Sequence, residues 1–361
     1  MFVAWRDLRF AKGRFTLMGT VIVLITLLVG LLSGLTAGLA RENISAITGL
    51  PADRLAFAAP PSGQSVSFTN STVTEKQWRQ WAERPGVTAA APLGIRTQNA
   101  AAGERTAAVS AFGSEPKAGL APESALLAPG RVVLSESAAE ELKAVVGDAV
   151  RLGPLEARVA AISGDASYSH TPVVWTSLDD WQKLGRSGTS AEAQATVVAL
   201  RTTAGADLAA GDEAAGTAAR TLDEALTAIG SYQAENGSLQ LMRGFLFVIS
   251  ALVIGAFFTV WTIQRSGDVA VLKALGASTP YLLKDALGQA VLMLAAGTLL
   301  GTAFAVGFGA LISGGNVPFV LEPLTVLAPA AVMIVLGVLG AALSIRRITA
   351  VDPLTALGSA R

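Results

Sequence analysis

The chain has 361 residues and no cysteine; 52% are hydrophobic, 15% are charged, and 27 basic side chains balance 27 acidic ones. So few charges are unusual for a domain folded wholly in water, and the missing cysteines exclude disulfides, thiolate metal sites and thiol chemistry. The zero net charge hides a segregation: residues 41–240 hold 16 Lys+Arg against 22 Asp+Glu, and the remainder holds 11 against 5.

The chain opens with a basic segment over 1–14 that carries Arg6, Arg9, Lys12 and Arg14. Residues 15–40 then contain no charge at all. Inside a bilayer every backbone amide must bond within its own segment, so this run predicts a membrane-spanning helix over 15–42. A cleaved signal peptide would carry an apolar run of only about 7–15 residues. A helix of this length spans roughly 39 Å at 1.5 Å per residue, more than a hydrocarbon core of about 30 Å, so it tilts or protrudes. Gly30, Gly34 and Gly38 recur every four residues, which puts them on one face and permits close backbone approach. The same spacing continues to Glu42.

Residues 43–237 are polar enough to fold in water and read as an α+β domain. Strands are expected at 87–92, 106–112, 131–134, 157–162 and 173–175. Helices are expected at 74–83 with Thr74 as cap, at 135–146 with Ser137 and Glu140 spaced as a capping box, at 177–184 and at 219–229. Residues 60–63 and 185–190 read as loops. Three further uncharged stretches follow, at 244–264, 286–321 and 323–345. They predict spanning helices over 238–264, 281–312 and 324–345, with a connection over 265–280, an opposite loop over 313–323 and a tail over 346–361. The fold class is therefore a membrane α-helical protein with four transmembrane helices, one plus three, and an inserted extracytoplasmic α+β domain.

Basic residues set the orientation. Arg6, Arg9, Lys12 and Arg14 precede the first helix, Arg265, Lys273 and Lys284 follow the second, and Arg346, Arg347 and Arg361 follow the fourth, whereas 313–323 has no Lys or Arg. The positive-inside rule then places both termini in the cytoplasm and the large domain outside a cell membrane.

Catalysis finds little support. The one histidine, His170, lies in a loop with Asp165 and Tyr168 nearby in sequence. It reads as surface chemistry rather than a general base, and no metal-ligand spacing recurs around it. No Gly-x-Ser-x-Gly elbow is present. No lysine follows a glycine, so a phosphate-wrapping Walker A loop cannot form and any ATP must be bound by another polypeptide. Nothing suggests a nucleic-acid partner or an intrinsic cofactor.

Residues 262–278 read Thr-Ile-Gln-Arg-Ser-Gly-Asp-Val-Ala-Val-Leu-Lys-Ala-Leu-Gly-Ala-Ser. Val269, Leu272 and Leu275 fall at helical spacing, and Gly276 suits a C-terminal cap. Such a short amphipathic helix offers apolar residues either to a cytoplasmic groove or to lipid. The segment resembles the signature loop of FtsX/MacB-like ABC transporter permeases. The tail over 344–357, Ser-Ile-Arg-Arg-Ile-Thr-Ala-Val-Asp-Pro-Leu-Thr-Ala-Leu, resembles that family's basic segment and Asp-Pro-Leu ending. The resemblance implies a homodimer clamped by two ATP-binding cassette ATPase subunits. Asp268, Val269, Leu272, Lys273, Leu275 and Gly276 would then form the coupling helix.

The stretch over 33–45, Ser-Gly-Leu-Thr-Ala-Gly-Leu-Ala-Arg-Glu-Asn-Ile-Ser, resembles the permeases of bacterial heme-efflux ABC transporters. What that implies is heme as transported ligand, with Glu42 on its iron. A carboxylate at a dimer axis would meet its symmetry mate, and two like charges at close range demand a cation or a proton. Leu35, Gly38, Leu239, Met242, Phe245 and Leu246 would supply apolar walls, and Arg41 and Arg243 would meet propionates. The competing reading of the glycines is ordinary packing, and of Glu42 a solvated carboxylate beside Arg41. Two other functions share the architecture: export of another amphiphile (lipid, peptide or antibiotic) and FtsX-like signalling without a transported substrate.

Overall fold

The computed structural model describes residues 12–185, 193–264, 266–312 and 317–349. Arg6, Arg9, residues 186–190 of the expected loop, Arg265, Arg361 and the Asp-Pro-Leu ending lie outside the described residues, as do the side chains of Lys12, Arg14, Asp268, Arg346 and Arg347. The chain divides into two compact units, one formed by Met1–Gly38 with Ser238–Arg361 and the other by Leu39–Gly237.

Helix α1 (Lys12–Thr48) runs on past the expected end at 42. Its last turns are held by apolar burial: Ala46 and Ile47 are buried in the core of the second unit. Gly49 and Pro51 then stop it. Strands β1 (Arg54–Ala58) and β2 (Val73–Thr74) lead to α2 (Glu75–Ala82). Thr74 holds the N-cap position of α2 as expected, and there the Gln77 side chain reaches back: its Oε1 accepts from the Thr74 N–H at 2.9 Å. The amphipathic helix buries Trp78 and Trp81. Strands β3 (Val87–Ala102) and β4 (Arg105–Ser114) form a hairpin whose turn uses Gly103 at φ +55°.

Strand β5 (Arg131–Leu134) precedes α3 (Glu136–Leu142), where one expectation is corrected. The cap is Ser135, whose Oγ accepts from the Ala138 N–H at 3.2 Å, while Ser137 donates to Asp165 instead. The helix also stops at Leu142, short of 146, because Lys143 turns left-handed at φ 50°. Strands β6 (Ala149–Leu152), β7 (Leu155–Ile162), β8 (Ser167–Tyr168) and β9 (Thr171–Ser177) follow, then α4 (Leu178–Gly185). Next come β10 (Gln194–Ala195), β11 (Val197–Thr202), α5 (Leu208–Ala215), β12 (Thr217–Thr221) and α6 (Leu222–Leu226). The helix expected over 219–229 is thus a strand and a single capped turn. Its start, residues 219–221, is paired along β1, and ladder hydrogen bonds override the local helix propensity.

The main sheet has the order β12-β1-β11-β3-β4-β9-β5-β7-β6, and β3 also pairs with β6. That last pairing closes β3, β4, β9, β5, β7 and β6 into a ring. Val109, Val132, Leu134, Val150, Leu152 and Val174 belong to one buried cluster of that ring. A second cluster joins Phe57, Phe68, Phe112, Tyr168 and Trp175 to the end of α1.

The other unit consists of helices. It takes α1 up to Gly38, most of α7 (Gly230–Gln264), then α8 (Ser266–Ala274), α9 (Thr279–Ile312) and α10 (Pro323–Thr349). Helices α1, α7, α9 and α10 are each long and apolar enough to cross a membrane. Met18 and Ile22 of α1, Ile254 and Phe258 of α7, Met293 and Leu294 of α9, and Met333 of α10 share one buried cluster. Small residues let the helices close up: a Cβ on Gly297 would stand 2.7 Å from Ile22, and one on Gly337 2.5 Å from Leu294.

Candidate functional site: a histidine between two helix ends

The residues richest in chemistry meet where α1 ends and α7 begins, within the unit Leu39–Gly237. Between β8 and β9 the chain reverses over Ser169 and His170, at φ 51° and 61°. Two positive φ values in a two-residue hairpin turn are the pattern that favours Asn-Gly. Here both residues carry a Cβ, each at a cost on the order of 1 kcal/mol. The turn's two N–H groups donate into α1, Ser169 to the Asn43 carbonyl at 3.0 Å and His170 to the Glu42 carbonyl at 3.3 Å.

The side chains extend these ties. His170 Nε2 lies 2.8 Å from Glu235 Oε2 on the second turn of α7, and Nδ1 lies 3.8 Å from Glu42 Oε2. The imidazole is 28% exposed, the Glu42 side chain 45% and the Glu235 side chain 40%. Asn43, only 1% exposed, sits beneath them: its Nδ2 is 3.1 Å from His170 Nε2 and donates to Glu235 Oε2 at 3.3 Å, while its Oδ1 accepts from Ser231 at 2.8 Å. Ser231 and Ser169 hydroxyls pair at 2.8 Å. Glu141 on α3 completes the acidic surroundings; burial first, and then the charges of Glu42 and Glu140, push its carboxyl above the usual range. No group of three His, Cys, Asp or Glu is poised on a metal position among the described residues.

His170 is therefore not the solvated loop residue expected from sequence. Its sequence neighbours go elsewhere: Asp165 accepts from Ser137, and Tyr168 is buried edge-on to Phe68 and Phe112, where burial raises its hydroxyl pKa. Sequence reasoning missed Asn43, Ser231 and Glu235. Asn43 falls just past the expected end of α1 at 42, and Ser231 and Glu235 fall ahead of the expected start of α7 at 238, so no local signal placed them on these helices.

The glycine stripe needs a second correction. A Cβ on Gly30 would stand 2.7 Å from Ala305, one on Gly34 2.3 Å from the Phe319 ring, and one on Gly38 2.1 Å from the Pro318 carbonyl oxygen. The close approach is to α9 and to the connection before α10 of the same chain. It leaves no room for a symmetry mate on that face, so the stripe does not bring Glu42 to a dimer axis.

Of the other residues singled out by sequence, Arg41 is exposed at the end of α1. In the helical unit Leu35, Met242 and Phe245 are exposed, Leu239 and Arg243 are half-buried, and Gly38 is buried. Leu246 instead packs against the bundle core. An apolar groove of about 960 Å³ between α7 and α10 has no charged side chain in its lining, and its two hydroxyls, on Thr259 and Ser344, bond to each other at 2.9 Å.

The connecting helix α8 ends in a complete Schellman motif. Gly276, at φ +94°, donates to the Lys273 carbonyl at 3.0 Å, and Ala277 donates to the Leu272 carbonyl at 2.9 Å. Val269 is half-buried, and Leu272 and Leu275 are 39% and 79% exposed.

Four helices long and apolar enough to cross a membrane and one large inserted domain define an integral membrane protein. Comparison with known proteins refines that class. Residues 15–218 match the MacB-like periplasmic core domain, and residues 241–353 match the FtsX-like permease C-terminal region. The chain belongs to the FtsX/MacB-like family of ABC transporter permeases, whose large domain is extracytoplasmic. Over 99% of both chains it is 27% identical to a Staphylococcus epidermidis protein that carries the name of a hemin transport system permease, HrtB, and 27% identical to its Staphylococcus haemolyticus namesake. It is 24% identical, again over 99% of both, to an uncharacterized ABC transporter permease of Mycobacterium tuberculosis. Among solved structures, the periplasmic region of MacB from Actinobacillus actinomycetemcomitans aligns with 49% of this chain and 92% of its own, at 12% identity and a TM-score of 0.36.

Proposed function

We propose that the chain is the permease subunit of an efflux pump that moves heme outward, working as a homodimer with two separate ATPase subunits. The observation that carries this reading is the end-to-end similarity to permeases named for hemin transport. Residue chemistry supports it. Glu42 presents a partly exposed carboxylate, a hard ligand suited to ferric iron. Leu35, Met242 and Phe245 are exposed apolar side chains of the spanning helices, suited to a porphyrin face, and Arg41 and Arg243 carry charges suited to propionates. The case for Glu42 rests on its own chemistry, not on the glycine stripe. Both termini and α8 face the cytoplasm in this reading, and exposed Leu272 and Leu275 enter a groove of the ATPase.

The test is a hemin titration of the purified permease–ATPase complex, followed by its Soret absorption. Wild type develops a shifted Soret band. Glu42→Ala weakens hemin binding roughly tenfold or more, about 1.4 kcal/mol, and moves the band while the complex stays assembled. A wild-type complex that takes up no hemin would refute heme as substrate and favour another amphiphile or a signalling role. Unchanged affinity and spectrum in the variant would move the iron ligand elsewhere, to Met242 first.

A further inference from the structure

We propose that His170 is a positioning residue of the transport cycle: it clasps the end of α1 and the start of α7 onto one hairpin turn and sets their spacing. The proposal rests on membership of the permease family and does not need heme to be the substrate.

The geometry argues for a clasp rather than for an ordinary turn. Two adjacent residues reach both helices. The Ser169 and His170 N–H groups bond to α1 carbonyls, the Ser169 hydroxyl bonds to Ser231 of α7, and the imidazole lies 2.8 Å from Glu235 of α7 and 3.8 Å from Glu42 of α1. Asn43 ties the same two helices from below through Ser231 and Glu235. Neither helix is interrupted afterwards: α1 is continuous from Lys12 to Thr48 and α7 from Gly230 to Gln264. The spacing set here is therefore one between the last turns of α1 and the first turns of α7.

The left-handed backbone adds a second argument. If the site only had to reverse the chain, glycine would suit φ 61° better than histidine. Glycine would also delete the imidazole and with it the link to Glu235. Turn stability and helix spacing therefore respond to His170→Gly in opposite directions, which separates a clasp from a merely structural turn. Glutamine carries a side-chain N–H that can still donate to Glu235, so His170→Gln keeps the tie.

The native chain has no cysteine, so spin labels can be placed on Thr48→Cys in α1 and Ala234→Cys in α7, both exposed positions. In the full permease–ATPase complex without nucleotide, with labelled chains diluted into unlabelled ones so that one subunit per dimer carries both labels, pulsed electron resonance should give one narrow distance within that subunit. His170→Gly and, independently, Glu235→Ala should broaden and lengthen it, and His170→Gln should restore it. In the same complexes His170→Gly should keep ATP hydrolysis while hemin moved per ATP falls about tenfold, the scale expected for one hydrogen bond to a charged group. If the labels report the wild-type distance in both His170→Gly and Glu235→Ala, the clasp is refuted. Should His170→Gly fail to assemble, Glu235→Ala decides alone. If wild type moves no hemin, the heme reading fails, and the distances still decide the clasp.

Discussion

At the scale of single residues, period is legible in sequence and partner is not. Gly30, Gly34 and Gly38 do line one close-packed face, but that face meets Ala305, Phe319 and Pro318 of the same chain. The obstacle at Gly38 is backbone: its added Cβ would lie 2.1 Å from a carbonyl oxygen, whereas one on Gly19 meets nothing within 4 Å. Backbone cannot swing aside as a side chain can. Gly38→Ala is therefore expected to destabilise the permease by about 1–3 kcal/mol, and Gly19→Ala to be neutral or slightly stabilising through helix propensity. Thermal unfolding of the two variants in detergent checks this; equal midpoints would mean that the 318–319 connection yields. His170 was legible as unique but not as networked, because Glu42, Glu235 and Ser231 are distant from it in sequence. The cap of α3 shifted from Ser137 to Ser135 for a related reason. Both serines stand just ahead of Ala138 and Ala139, and only the departure of the chain from β5 decides which of them has extended backbone.

At the scale of elements, hydropathy marks where lipid begins and not where a helix begins. Helix α1 continues to Thr48 and α7 starts at Gly230, although their uncharged runs cover 15–40 and 244–264. Ala46, Ile47 and Leu50 are buried in the α+β unit, and so the helix is stabilised there by domain packing. Helix α8 behaved as its spacing indicated, down to the left-handed Gly276. Leu275 is 79% exposed, so an aspartate there costs the permease itself little. In a partner's apolar groove the same carboxylate would be desolvated without a counter-charge, a penalty of several kcal/mol. Leu275→Asp is expected to reduce ATPase co-purification at least tenfold with permease yield unchanged. Full co-purification together with normal ATP hydrolysis would instead place α8 on lipid.

At the scale of the molecule, the one-plus-three layout and the charge segregation make a topological prediction. Glu104, in the exposed β3–β4 turn, and Ser278, beyond α8, should lie on opposite sides of the membrane. In this cysteine-free chain, Glu104→Cys should react with an impermeant thiol reagent added to intact cells, and Ser278→Cys only after permeabilisation. Reaction of both in intact cells would overturn the orientation drawn from Arg and Lys positions.

The number of spanning helices, the inserted domain, the missing Walker A loop and the cap of α8 follow from sequence by itself, because each depends on a contiguous run or a local backbone preference. The ring closed by β3 and β6, the strand at 217–221, the companions of the glycine stripe and the grouping of Glu42, Asn43, His170 and Glu235 were decided only by tertiary structure. Each of these joins residues distant in sequence, and no local periodicity encodes which distant surface a segment will meet.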